Sequence, residues 1–142
     1  MGKNKNRFNV TPIKRGDLFK YNFDKEITVL ENYQHPIFCF KYLHPEHNLD
    51  KCDKDELSAL VSQISKLSKL TWHEIEYTSR KGLGTEKINR SSIKPSIPSF
   101  ITEDVSFLLS FRFLGKKPFV AYRNKFICHI IYIDNKFDVY PH

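Results

Sequence analysis

"VSFLLSFRFLGKKPFVAYRNKFICHIIYID", Val105–Asp134, is the stretch from which the fold is read. Aromatic and β-branched residues dominate it, as strands require, and two short polar interruptions divide it. Gly115–Lys116–Lys117 is the first and Asn124–Lys125 the second. The spacing predicts strands over Val105–Phe113, Pro118–Asn124 and Phe126–Asp134. Asn135–Lys136 then turns the chain into a fourth strand ending at Tyr140. Connections this short join only antiparallel neighbours, so the segment is expected to form a four-stranded antiparallel meander.

Side chains alternate between the two faces of a strand. Val105, Phe107, Leu109, Phe111 and Phe113 share one face, expected to lie under helices. Ser106, Leu108, Ser110 and Arg112 take the other. In the next strand Phe119, Ala121 and Arg123 oppose Val120 and Tyr122. The third strand is apolar on both sides and is therefore central, which makes His129 a hydrogen-bonded core histidine. Arg112 and Arg123 are expected to converge on the uncovered side of the sheet.

Two helices precede the meander. In "DKDELSALVSQISKLSKL", Leu57, Leu60, Val61, Ile64 and Leu67 recur at helical spacing, and Asp53 with Glu56 has the form of a capping box. Thr71 and Glu74 make a second box, flanked by Leu70 and Ile75 as a hydrophobic staple. Gly82 is placed to end this helix in the left-handed conformation, with Arg80 and Lys81 in its last turn. "PIFCFKYL", Pro36–Leu43, reads as a buried strand. The expected architecture is α+β: a strand, a two-helix hairpin, then the meander, with the helices on one sheet face. One domain over residues 36–142 follows a basic arm over residues 1–35.

The chain has 142 residues and a net charge of +7, unevenly spread. The first twenty residues carry +5 and residues 79–102 carry +4, whereas residues 21–78 carry −4. Such asymmetry favours a polyanionic partner. No apolar run has the length of a membrane span or the form of a secretory signal, and a cytoplasmic location is expected. Three cysteines without close spacing make no disulfide framework. His44, Glu46, His47, Asp50 and Cys52 lie close together, but their spacing fits no zinc motif. No metal or other cofactor is expected.

Cleavage of RNA without a metal needs a base for the 2′-hydroxyl, cations for the phosphorane and an acid for the leaving oxygen. Arg112, Arg123, Lys81, Lys87, His73, His129, Tyr140 and His142 supply those residue types. The order of elements, with "SFRF", "AYRN" and a closing "FDVYPH", resembles the RelE/ParE-type toxin superfamily over residues 36–142. Members of that superfamily include ribonucleases acting on messenger RNA. The resemblance implies a ribonuclease in which Arg112 and Arg123 stabilise the phosphate. Tyr140 or His142 would serve as general acid or base, and Glu86 as a further base. It implies RNA contacts from Arg80, Lys81, Lys87, Lys116 and Lys117, with RNA, free or on the ribosome, and an acidic antitoxin as partners. The alternative is a non-catalytic module that binds nucleic acid or protein through the same basic sheet face.

Overall fold

The computed structural model describes residues 29–78 and 85–142. The strands are β1 (Ile37–Cys39), β2 (Thr85–Asn89), β3 (Phe107–Leu114), β4 (Lys117–Asn124) and β5 (Ile127–Ile133). Two helices, α1 (Lys54–Ser68) and α2 (Trp72–Thr78), lie between β1 and β2, and residues 29–32 form a further helical turn. The sheet runs β1-β5-β4-β3-β2, with β1 parallel to β5 and every other pair antiparallel.

The sheet is five-stranded and mixed rather than the four-stranded antiparallel meander expected, and its members differ from those expected. β2, where no strand was expected, forms one edge and pairs Glu86 with Ser110 and Ile88 with Leu108. Lys136–Tyr140 is not a strand. It is a turn and a returning tail that lies over the sheet, with Phe137 in the left-handed region at φ 59°. β1 is three residues long rather than eight, because the chain turns away after Cys39. His44 and His47 then resume backbone hydrogen bonding with β5 at Ile131 and Ile133. The β3–β4 hairpin turns at Gly115, whose φ of +59° favours a residue without a Cβ.

Both capping boxes form. Asp53 and Glu56 exchange backbone-to-carboxylate bonds of 2.9 and 2.8 Å at the start of α1. At the start of α2 the Thr71 N–H donates to the Glu74 carboxylate at 2.9 Å and the Glu74 N–H to the Thr71 hydroxyl at 3.1 Å. The apolar stripe of α1 packs through Leu60 and Leu67, while Val61 lies outside it and is exposed. Trp72 enters the core from the first turn of α2, and its indole N–H donates to the Phe126 carbonyl at 2.9 Å. Gly82, Arg80 and Lys81 lie outside the described residues.

The sheet has two apolar faces. Phe111, Phe119, Ala121, Cys128 and Ile130 pack under Leu60, Leu67, Trp72 and Ile75. The opposite face was expected to be open. It carries a second core in which Ile88, Leu108, Val120, Ile131 and Tyr132 meet Ile93, Ile101, Val139 and Tyr140. The segment between β2 and β3 and the C-terminal tail therefore cover it. Arg90 fastens that segment by donating to the carbonyls of Ile101, Thr102 and Val105.

A bulge between Val120 and Ala121 on the β4–β5 ladder fits an extra residue into β5. It moves Tyr132 onto the face of His129 and Ile133 onto the face of Cys128, which simple alternation reverses.

Lys117, expected to contact RNA, is instead an internal partner. Its ammonium lies 2.6 Å from Glu56 Oε2, and Glu56 is buried. Asn135 donates to the other Glu56 oxygen at 3.2 Å. The hydrogen bond from Lys117, followed by the backbone bond from Asp53, holds the Glu56 carboxyl down to about 2. A depressed carboxyl contributes stability above its unfolded value near 4.5 and loses it as pH falls towards 2. Lys117→Met is accordingly expected to lower the urea midpoint at pH 7, and the gap to wild type should narrow below pH 4.5. Urea titrations at several pH values measure this.

Candidate functional site

The end of β5 sets the path of the tail. Asp134 is 0% exposed, and its Oδ1 accepts the backbone N–H groups of Asp138 at 2.8 Å and Val139 at 3.2 Å. Those bonds close a turn that brings the following residues back across the sheet. Val139 is fixed from the other side, where its carbonyl accepts from Lys94 N–H at 2.8 Å. Tyr140 then sits over β3, its hydroxyl 2.8 Å from Ser110 Oγ. His142 lies against Tyr140, ring centroids 4.1 Å apart, with Nε2 3.0 Å from Asp134 Oδ2.

Glu86 and Arg112 complete the group. The Glu86↔Ser110 register places the Glu86 side chain on the face that Ser110 and Tyr140 share. Arg112 follows Ser110 by two residues and so lies on that face too. Both are exposed, and among the described residues neither head group has a hydrogen bond or ion pair. Their charges reach the Tyr140 phenol. Burial raises its pKa above the ordinary range, the Ser110 bond opposes that, Glu86 and Asp134 add to it, and Arg112 opposes it. Tyr140 is 5% exposed with its hydroxyl turned into the sheet, so it supports the His142 ring from below. The His142 side chain is 26% exposed.

Four of the five residues singled out for catalysis, Glu86, Arg112, Tyr140 and His142, are therefore brought together. Arg123 is not among them. The pairs Leu109↔Ala121 and Phe111↔Phe119 put β4's Ala121 and Phe119 on the helix side, and Arg123 follows on that side. Arg112 is on the opposite side, so the two guanidinium groups do not converge. Arg123 stacks over Trp72 at 4.3 Å and donates to Asn32 Oδ1, Lys125 O and Glu76 Oε2 at 2.8, 2.6 and 3.2 Å. Packing thus begins before residue 36, through Asn32 and through Gln34, whose carbonyl accepts from Trp72 N–H.

The remaining cations divide as well. Lys116 is exposed in the turn that follows Arg112's strand. Lys87 alternates with Glu86 and Ile88 along β2, and its ammonium lies 4.5 Å from the centre of the Phe107 ring. His129 belongs to the tail-covered face, against Tyr42, Phe100 and Tyr122. Its Nδ1 is buried and, among the described residues, has no hydrogen-bond partner. Burial, then Lys41, lowers its pKa, so it is neutral at pH 7. His73 is the second residue of α2, its ring against Tyr33. His44 and His47 face each other at 5.2 Å and engage Ser96 and Asp138.

Ser110 and Asp134 were missed as site residues. The signal for Asp134 was present: a lone acid closing an apolar strand before Asn-Lys, where an Asx-type turn is expected. The chain matches no protein-family model, no curated protein and no solved structure. Among the described residues no helix is long and apolar enough to cross a membrane.

Proposed function

We propose that this protein is a metal-independent ribonuclease with a RelE-type layout, cutting RNA by attack of a ribose 2′-hydroxyl on the adjacent phosphate. The observation that carries the reading is the meeting of Glu86, Arg112 and His142 around Tyr140, from β2, β3 and the tail. Arg112 is the exposed cation of the group and faces the charge that develops on the phosphorane oxygens. Glu86 and His142 form the acid–base pair: one takes the 2′-hydroxyl proton, the other protonates the departing 5′-oxygen. The P–O5′ bond breaks as the 2′-oxygen bond forms, which leaves a 2′,3′-cyclic phosphate and a 5′-hydroxyl.

Two groups named earlier have other roles in this account. Arg123 and Lys117 hold the fold, and phosphate contacts outside the reacting centre fall to Lys116 and to Arg80 and Lys81. The same reading gives RNA, free or on the ribosome, as substrate and an acidic antitoxin as partner.

Purified protein incubated with RNA in EDTA is expected to cut it, and His142→Ala to slow the cut by about 10²-fold or more. RNA that is bound in a salt-sensitive way but left intact would replace this reading with the non-catalytic binding module.

A further inference from the structure

We infer that Asp134 is the positioning residue for His142: it fixes which imidazole nitrogen faces the substrate. The catalytic part of this inference rests on the ribonuclease reading; the structural part stands without it. Asp134 is fully buried at the end of β5, and among the described residues all three hydrogen bonds of its side chain go to the tail. Oδ1 takes two backbone N–H groups, which sets the turn. Oδ2 is left for His142 Nε2, at 3.0 Å.

A carboxylate oxygen accepts, so the nitrogen that meets it carries hydrogen. The neutral ring of His142 is then protonated at Nε2, and its lone pair is at Nδ1, directed away from Asp134. Tyr140 lies against one side of the ring, and Phe137 meets it edge-on at 5.0 Å. The ring is thus held by a charge partner and two aromatic walls, the arrangement that keeps an acid–base imidazole in one tautomer. Asp134 is the charged group beside the ring, while Glu86 from β2 and Arg112 from β3 act on the Tyr140 phenol against which the ring lies.

Asp134→Asn separates the two jobs of the carboxylate. The amide oxygen still accepts from Asp138 and Val139, so the turn is kept. The amide NH₂ replaces Oδ2 and donates, so it selects the opposite tautomer of His142. In wild type, ¹⁵N shifts of the neutral ring are expected to show hydrogen on Nε2. In Asp134→Asn hydrogen should move to Nδ1, and kcat should fall by about 10- to 100-fold with KM within about threefold. A wild-type ring protonated at Nδ1 would overturn the inference, and this needs no variant that folds. Unchanged kcat in Asp134→Asn, with wild type active, would overturn it and leave the ribonuclease reading standing. Wild type that cuts no RNA would end the ribonuclease reading, while the ring shifts still decide the Asp134–His142 coupling.

Discussion

Arg112→Ala is expected to lower RNA cleavage by about 10²- to 10³-fold without changing the urea midpoint of the protein. The guanidinium is exposed, and among the described residues it has no hydrogen bond or ion pair. Its removal therefore breaks no internal contact, and surface changes of that kind usually alter stability by less than about 0.5 kcal/mol. On the proposed ribonuclease reading, what is lost is the cation that meets the growing phosphate charge, on the face where Glu86, Tyr140 and His142 gather. Arg123→Ala makes the contrast. That side chain joins the 29–32 helical turn, α2 and the β4–β5 turn through Asn32, Glu76 and Lys125. It also stacks on Trp72. Its loss is expected to cost about 2 kcal/mol of stability and to leave the cleavage rate per folded molecule near wild type. Urea unfolding together with cleavage rates resolves the pair. Equal loss of activity in both variants at equal folded fraction would place Arg123 in the chemistry after all.

Trp72→Ala is expected to destabilise the protein by about 3–5 kcal/mol. The side chain is 1% exposed and sits among Leu60, Leu67, Ile75 and Cys128 under the sheet. Truncation removes the largest apolar group of that cluster, leaves a cavity, and strands two neighbours. The Phe126 carbonyl loses its indole donor, and the Arg123 guanidinium loses the ring beneath it. Domains of this size carry about 5–15 kcal/mol in total, so the variant should be partly unfolded at 37 °C. Trp72→Phe keeps most of the volume but not the N–H, and a loss of about 1–2 kcal/mol is expected from it. Thermal melts of both variants measure the difference. A small effect of Trp72→Ala would mean that the helix layer does not depend on this contact.

The helix layer was legible because its signals are local. Each capping box lies within four residues, and each predicts a helix start that the structure reproduces. β3, β4 and β5 were legible through composition and two short turns. β2 was not, because "TEKIN" offers one buried residue, Ile88, between Glu, Lys and Asn. An edge strand needs only one apolar contact and little propensity when a neighbour supplies the ladder. The tail was misread for the opposite reason. Phe137, Val139 and Tyr140 have strand composition, yet Asp134 captures two backbone N–H groups and Phe137 takes a left-handed φ, which ends pairing.

The candidate site was partly legible. Residue type pointed to Arg112, Tyr140 and His142, the resemblance added Glu86, and the fold gathers them. The pairing of Arg112 with Arg123 failed on register. With Phe111 opposite Phe119, the parity of the two arginines along their strands places them on different faces. The turn at Asp134 had a local signal, but the Asp134–His142 contact had none, since it depends on the return of the tail and not on any spacing pattern.

The chemistry of the ends left after cutting RNA in EDTA tests the central claim most directly. The account predicts fragments ending in a 2′,3′-cyclic phosphate, with 5′-hydroxyls on the partners. Fragments bearing 5′-phosphates and 3′-hydroxyls, or RNA left whole, would contradict it.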